Sequence, residues 1–177
     1  ISITRLSDAT YLDVNDAFTR LSGFSKEELI GHTSPELGMV VDVSKREKVL
    51  QEVREVGSAK NFEIAVRDKS GKTLEVLASI ETILLQGEKY ALNIIYDITE
   101  QKKAEQKFRG LLESAPDAMI IVNETGEIVL VNHQTETLFG YKKEELIKQQ
   151  VEILIPAHLS QKHSRHRSDY FKHPKLR

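Results

Sequence analysis

The sequence predicts an α+β fold, a five-stranded antiparallel sheet with helices on one face, arranged as two tandem copies. Two observations lead to this prediction. The first is an internal repeat, in which VNDAFTRLSGFSKEELIG at 14–31 returns as VNHQTETLFGYKKEELIK at 131–148. Nine of the eighteen positions are identical, and the alignment needs no gap. The second is a series of three alternating apolar segments that follows the first copy.

The spacing of the repeat sets the expected domain organisation. An offset of 117 residues is too long for a solenoid unit and is typical of two copies of one domain. We therefore expect a first domain at 1–98, a helical connector at 99–116 and a second domain at 117–177. The second copy stops before any counterpart of the three later strands. We expect it to hold only the N-terminal part of the domain, with a sheet that lacks those strands.

Each copy opens with two strand-like segments around a tight turn. The segments are rich in β-branched residues, and the turns contain Asp, Asn or Gly. The four segments are 1–4, 11–14, 119–122 and 128–131. Asn15 and Asn132 follow at the point where strand gives way to helix, which is the usual place of an N-cap.

Two brief helices hinged at a glycine follow each cap. In the first copy we expect Gly23 to end one helix in the left-handed conformation. Ser25 then caps the next turn, and Leu29 packs inward. Gly140 holds the equivalent place in the second copy.

The first copy continues with an amphipathic helix and three strands. The helix is expected at 44–56, and the alternating strands at 62–66, 74–80 and 90–98. Short turns separate the strands, so we predict an antiparallel meander with one buried face. The predicted core residues are apolar and include no polar anchor for a ligand: Phe18, Leu21, Phe62, Ile64 and Ile94.

The connector carries a regular apolar stripe. Its residues are spaced four, three and four apart, as in a coiled-coil seam of about two heptads. They are Ala104, Phe108, Leu111 and Ala115. Pro116 ends the helix. Two interpretations stay open, a parallel dimer helix and a helix lying on the neighbouring sheet, and we favour the dimer.

The ordered set of features resembles the PAS family. It comprises the paired strands, Val-Asn, Gly-Phe/Tyr, Lys-Glu-Glu-Leu-Ile, and a meander that ends in Asp97-Ile98-Thr99-Glu100. The segment FRGLLESAPDA at 108–118 is similar to the junction of tandem PAS modules. PAS domains are sensor modules of bacterial histidine kinases and cyclic-di-GMP enzymes. The resemblance implies the sensor region of a signal-transduction protein, with a histidine kinase favoured.

The resemblance also implies a function. A small ligand or a partner would be detected, and the change would pass through the connector to an output domain, a kinase or a diguanylate cyclase/phosphodiesterase outside this segment. In the family, the residues matching Asp97 and Thr99 tie the last strand to the outgoing helix. The alternative is a ligand-free dimerisation and relay module, which the apolar predicted core slightly favours for the first domain. We expect no enzyme activity and no catalytic residue within the segment, since no nucleophile elbow or phosphate loop occurs.

Cofactor chemistry is constrained mainly by the absence of cysteine. Flavin photochemistry through a cysteine adduct is excluded, although plain flavin binding is not. Haem-binding members of the family place a histidine seven residues after a proline, and His163 follows Pro156 at that spacing. A haem-based gas sensor in the second domain is therefore a minor alternative. His163, His166 and Asp169 lack a fourth ligand, so we predict no metal site.

Charge and hydropathy bear on the partners. The net charge is −2, which gives no general attraction to nucleic acid, and we interpret the basic stretch at 162–177 as a solvated or partner-facing helix. No segment approaches the roughly 20 apolar residues of a membrane span. We expect a cytoplasmic homodimer without membrane contact in this segment. This expectation also covers the cytoplasmic part of a membrane-anchored sensor.

Overall fold

The computed structural model describes residues 1–172, so residues 173–177 of the predicted basic stretch lie outside the described residues. The chain divides into two compact units, Ile1–Ala104 and Glu105–Arg177. The division falls inside the predicted connector, and the exact domain bounds stay a prediction. No helix within residues 1–172 is both long and apolar enough to cross a membrane.

The first unit is built on one five-stranded antiparallel sheet, which confirms the predicted fold class. The strands are β1 (Ser2–Arg5), β2 (Tyr11–Val14), β3 (Ser58–Arg67), β4 (Thr73–Leu85) and β5 (Glu88–Asp97). Their order across the sheet is β2-β1-β5-β4-β3. Strands β3, β4 and β5 form the predicted meander, and β1 pairs with β5 to complete the sheet.

The first unit has three helices among the described residues, and the first two begin at the predicted caps. They are α1 (Asp16–Ser22), α2 (Lys26–Leu29) and α3 (Val43–Val56). The Asn15 side chain accepts a hydrogen bond from the amide of Phe18, and Gly23 ends α1 at a φ of 74°. A side chain other than glycine is strained there, which explains the residue.

The face of β5 that points into the core differs from the prediction. Asn93 pairs with Ile80 of β4, and directly opposed residues of an antiparallel pair lie on one face. Ile94 pairs with Ser79 and therefore lies on the other face, so its placement in the core was wrong. The physical reason is that both faces of this strand carry apolar residues, so that alternation alone does not identify the inward one.

The connector forms helix α4 (Thr99–Glu113), which is shorter than predicted. Ala115 lies beyond its end, and its assignment to the helix was wrong. The residue before a proline is disfavoured in the helical conformation, and Pro116 follows Ala115. Ala104 is exposed, as are Phe108, at 51% of its surface, and Leu111, at 62%.

The second unit repeats the start of the first. Its elements are β6 (Ile120–Val122), β7 (Ile128–Val131), α5 (His133–Phe139), α6 (Lys143–Leu146), a 3-10 turn (Val151–Leu154) and α7 (Ala157–Lys172). Within the described residues β6 and β7 form a two-stranded antiparallel sheet. Ile128, Val131 and Leu146 are fully buried and form a small core between β7 and α6. The caps at Asn132 and Gly140 are confirmed.

Candidate functional site

A cavity of about 150 Å³ lies between the sheet and the helices of the first unit. Its wall is mostly aliphatic. The apolar lining includes Val49, Leu50 and Val53 of α3 and Leu74, Val76, Ala78 and Ile80 of β4. An apolar cavity of this size has room for a molecule such as benzene or xenon. The first unit therefore has an interior in which a small organic molecule fits.

One polar part of this cavity is formed by Tyr11, Ser34 and Arg46. The Tyr11 side chain is buried, and its hydroxyl lies 4.0 Å from Sδ of Met39. Burial raises the pKa of Tyr11 to about 12, although the nearby charge of Arg46 acts in the opposite direction. The phenol is therefore protonated near neutral pH and can donate a hydrogen bond into the cavity.

Arg46 lies near the start of α3 and is partly buried. Among residues 1–172 its guanidinium makes no ion pair and no side-chain hydrogen bond. Burial lowers the pKa of Arg46, because the charged form has lost water. The cavity therefore contains a cation without a counter-ion in the described part of the chain.

A second polar part of the cavity lies on the sheet. Nδ2 of Asn93 donates to Oγ1 of Thr4 at 3.2 Å and to the carbonyl oxygen of Ser2 at 3.3 Å. Oγ of Ser2 is buried and has no hydrogen-bond partner in the described residues. Unpaired buried hydroxyls are uncommon in folded proteins, so this group is free to bind a ligand or a water.

The sequence had indicated a core without a polar anchor, and the structure corrects this. The omission follows from the misassigned face of β5, since Asn93 lies on the inward face with Ala91 and Ile95. An asparagine between apolar strand residues was the available signal. Arg46 had no comparable signal, because a charged residue in an amphipathic helix is usually solvated.

The two residues predicted to couple the sheet to the connector lie at the start of α4. Oδ1 of Asp97 accepts a hydrogen bond from the amide of Thr99 at 2.8 Å. Oγ1 of Thr99 accepts from the amide of Glu75 at 3.0 Å and donates to the carbonyl oxygen of Glu75 at 3.4 Å. Thr99 is buried, so these bonds are protected from water. They attach the start of α4 to β4.

An ion pair adds a second attachment in the first unit. Nζ of Lys102, on the first turns of α4, lies 2.8 Å from Oε2 of Glu63 on β3. Both side chains are partly exposed, so the pair contributes little to stability. The start of α4 is thus attached to two neighbouring strands.

The end of α4 is held within the second unit by Asn132. Its Nδ2 donates to the carbonyl oxygens of Leu112 at 3.0 Å and Asp117 at 2.9 Å. Its Oδ1 accepts from the amide of Met119 at 2.8 Å and from Thr135. Sequence reasoning identified Asn132 only as a cap, since the bond to Leu112 joins residues that are twenty positions apart.

The histidine considered as a haem ligand lies in a polar cluster of the second unit. Nδ1 of His163 is 3.1 Å from Oε1 of Glu152, and the same oxygen is 3.3 Å from Nε of Arg167. Burial would raise the pKa of Glu152, but the bonds from His163 and Arg167 hold it below its ordinary value. His163 thus contacts a carboxylate, and the haem hypothesis stays an untested prediction.

His163, His166 and Asp169 do not come together as a metal centre. Within the described residues, no group of three or more histidine, cysteine or carboxylate side chains is placed to hold a metal ion. His166 and Asp169 instead border a shallow polar groove on α7. His163 is directed to Glu152.

Comparison with known proteins identifies the family. A family model described as a PAS domain matches residues 2–100, more than half of the chain. The chain belongs to the PAS family. A second model, described as a PAS fold, matches residues 106–169. The chain is therefore a tandem PAS region, and its role is that of a sensory signalling module.

The curated relatives include named signalling proteins. Sensor protein FixL of Bradyrhizobium diazoefficiens is 28% identical over 138 residues, which cover 73% of this chain and 27% of the relative. Sporulation kinase E of Bacillus subtilis is 27% identical over 181 residues, which cover 96% of this chain and 23% of the relative. The PAS region thus spans about a quarter of the length of these relatives.

Solved PAS structures resemble part of the chain. A PAS domain from Colwellia psychrerythraea is 26% identical, with a TM-score of 0.48, and covers 56% of this chain and 85% of that domain. A PAS domain from a two-component sensor histidine kinase is 21% identical, with a TM-score of 0.47, and covers 54% of this chain and 81% of that domain.

Proposed function

We propose that the first PAS domain detects a small molecule in its interior cavity and passes the change into α4 through Thr99. Helix α4 acts in a homodimer and transmits the change to a downstream output domain, a histidine kinase, in the cytoplasm. The observation that carries this proposal is the position of Glu75. It is the strand residue bonded to Thr99, and it lies between two residues of the cavity wall.

Strand β4 connects the cavity to the helix over a very short distance. Leu74 and Val76 point into the cavity, and both are buried. The backbone of Glu75 between them bonds to Thr99 through its amide and its carbonyl. A ligand that displaces these two side chains also moves the Glu75 peptide, because neighbouring residues of one strand move together.

Strand β3 offers a parallel route. Phe62 and Ile64 line the cavity, and Glu63 between them pairs with Lys102 of α4. The same alternation therefore occurs on two neighbouring strands. On each strand two residues line the cavity, and the residue between them contacts α4. Two attachments on adjacent strands allow a small displacement to tilt α4 as well as to shift it.

The dimer is supported by the exposed apolar face of α4. Phe108 and Leu111 expose more than half of their surfaces, and Ala104 lies on the same stripe. Exposed apolar residues at heptad spacing favour pairing with a second copy of the helix. Sedimentation velocity tests this. Phe108→Glu is expected to give a monomer and Lys107→Glu to leave the dimer, and a monomeric wild type would contradict the proposal.

Coupling can be tested with xenon, which fills apolar cavities without making polar contacts. We expect xenon to shift the amide resonances of residues 74–76 and, with them, those of residues 99–103 in the 15N-labelled 177-residue chain. In Thr99→Val, which keeps the shape and loses both bonds to Glu75, the shifts in 74–76 persist and those in 99–103 are lost. Thr99→Ser retains the hydroxyl and is expected to behave as wild type.

Two results would count against this function. If xenon shifts residues 99–103 equally in wild type and Thr99→Val, the change does not pass through Thr99. If neither xenon nor any small molecule perturbs residues 74–76, the cavity is not a ligand site, and the ligand-free relay replaces the sensor. Thr73→Val, at the exposed start of β4, controls for the loss of a threonine hydroxyl as such.

A further inference from the structure

The charge on the cavity wall indicates which class of molecule the first PAS domain takes. We infer that the cavity binds a small monocarboxylic acid with an apolar body about the size of benzene, whose carboxylate lies against Arg46 and Tyr11. This inference rests on the proposed function, because it assumes that the cavity receives a ligand. It adds the chemical class of that ligand.

Arg46 is the first reason for an anion. A guanidinium withdrawn from water without a counter-charge is unfavourable, and proteins usually pair such a group. Among residues 1–172 the Arg46 side chain has no carboxylate within ion-pair distance, and Glu47 acts on it only from farther away. A ligand carboxylate would supply the missing partner, and the planar guanidinium can bind it through two parallel hydrogen bonds.

The other charged groups on the wall leave this corner positive. The wall carries three arginines and one aspartate. Arg5 is already paired with Asp8 at 2.7 Å, and Arg67 is exposed. Oδ1 of the aspartate, Asp68, accepts hydrogen bonds from Ser70 and Lys72 within its own turn, so that carboxylate is engaged there. No acid on the wall therefore neutralises Arg46.

Tyr11 adds a directional donor beside the cation. Its hydroxyl is near enough to Arg46 for the two groups to affect each other electrostatically. Its contact with Sδ of Met39 at 4.0 Å is weak, since sulfur is a poor acceptor, and Ser34 is its other side-chain hydrogen-bond partner. A ligand carboxylate in this corner can accept a hydrogen bond from the phenol in exchange for these contacts, and the Ser34 hydroxyl lies beside it.

The remainder of the cavity limits the ligand to one charge and a small body. The α3 and β4 walls are aliphatic, and a second carboxylate placed against Val53 or Val76 would be desolvated without a partner. A volume of about 150 Å³ accommodates one small ring or a short branched chain. Dicarboxylates, long fatty acids and nucleotides do not meet these conditions.

The test is isothermal titration of the 177-residue chain with benzoate and with its neutral isostere benzamide. We expect benzoate to bind wild type at least about tenfold more tightly than benzamide does, the range of a charge-assisted pair. In Arg46→Gln benzoate affinity falls by about tenfold or more and benzamide affinity is unchanged. Arg46→Lys is expected to lie between the two, because it keeps the charge and loses the planar fork.

The control is Lys48→Gln, which removes one positive charge from an exposed position on the same helix. It should bind benzoate as wild type does. Arg46→Gln should unfold at about the wild-type temperature, since Arg46 has no ion pair or side-chain hydrogen bond to lose among the described residues. An equal loss of benzoate affinity in Lys48→Gln would show a general charge effect and would overturn the inference.

Two further outcomes separate this inference from the proposed function. If benzamide binds and benzoate does not, or if terephthalate binds as tightly as benzoate, the carboxylic-acid class is wrong while the sensing cavity stands. If neither probe binds and xenon leaves residues 74–76 unperturbed, both the inference and the sensing function fail.

Discussion

The segment SGFSKEELIG at 22–31 and its near copy FGYKKEELIK at 139–148 adopt the same backbone but are held by different neighbours. Gly23 and Gly140 end their helices at φ values of 74° and 76°. Leu29 and Leu146 are both fully buried. Both hinges thus share a left-handed glycine, a buried leucine and a glutamate that accepts a hydrogen bond from the amide of its N-cap residue.

The two copies differ in what surrounds the hinge. In the first unit Glu28 accepts hydrogen bonds from the amide of Ser25 and from Nζ of Lys69 at 2.6 Å. Lys69 belongs to the turn between β3 and β4, and its amide also bonds to the carbonyl of Ser22. In the second unit the matching Glu145 bonds to the amide of Lys142. Identical residues therefore have different partners because the meander reaches only the first hinge among the described residues.

The N-cap asparagines of the two units also differ in their contacts. Oδ1 of Asn15 accepts from the amide of Phe18 in its own helix and from the amine of Ile1, fourteen positions away. Asn132 caps its helix and also donates to Leu112 and Asp117. The first hinge is thus tied to its sheet, while the second cap is tied to the end of α4. Residues that are identical in the two copies therefore make different long-range contacts in the two units.

The largest expected effect is at Asn132. Asn132→Ala removes the cap together with the hydrogen bonds to Leu112, Asp117 and Met119, so we expect a loss of about 3 kcal/mol in the second unit. Asn15→Ala removes a cap and the exposed bond from the amine of Ile1, and should cost about 1 kcal/mol. Hydrogen exchange of peptides from each unit measures the two losses separately. Equal losses would show that the bonds of Asn132 to the connector add no stability.

The next effect concerns the capping boxes. Ser25→Ala should destabilise the first hinge by about 1 kcal/mol, because Oγ of Ser25 accepts from the amide of Glu28. Lys142 cannot accept such a bond, so Lys142→Ser should stabilise the second hinge by up to about 1 kcal/mol. Exchange protection of the α2 and α6 amides measures both changes. Loss of protection in Lys142→Ser would mean that the lysine contributes contacts that a serine cannot replace.

Most of the backbone could be predicted from local chemistry. The repeat located both hinges, and the caps at Asn15, Asn132, Gly23 and Gly140 follow from the conformational preferences of those residues. The strands of the meander were found through alternation. These features depend on neighbours within a few positions, which is the range over which a single sequence is informative.

The candidate site depends on contacts that a single sequence does not contain. The inward face of β5 is decided by its register with β4, which places Asn93 opposite Ile80. The bond between Asn132 and Leu112 joins residues twenty positions apart, and Arg46 becomes a cavity residue only when α3 lies over the sheet. Ala115 was wrongly assigned to α4 because it fits the apolar spacing of the helix, although the residue before Pro116 is disfavoured in the helical conformation.

The smallest expected effect sharpens the contrast between Glu28 and Glu145. Hydrogen bonds from Lys69 and from the Ser25 amide hold the pKa of Glu28 below its ordinary value of 4.5. A carboxyl whose pKa is depressed in the folded protein stabilises the fold at pH values above its pKa in the unfolded chain. This contribution is lost as the pH falls through the lower pKa of the folded protein. The first hinge should therefore lose protection gradually below about pH 4.5.

Titration of the Glu28 side-chain carbon by NMR checks this directly. Lys69→Met removes the bond with the largest effect and should raise the pKa of Glu28 towards its ordinary value, while the Ser25 amide keeps it slightly depressed. Lys72→Met, in the same turn, removes a lysine that makes no side-chain bond to Glu28 and should leave that pKa unchanged. If the pKa of Glu28 stays low in Lys69→Met, the hydrogen bond from the Ser25 amide is what lowers it. The β3–β4 turn would then have no electrostatic effect on the hinge, and the difference between the two copies would reduce to Ser25 against Lys142.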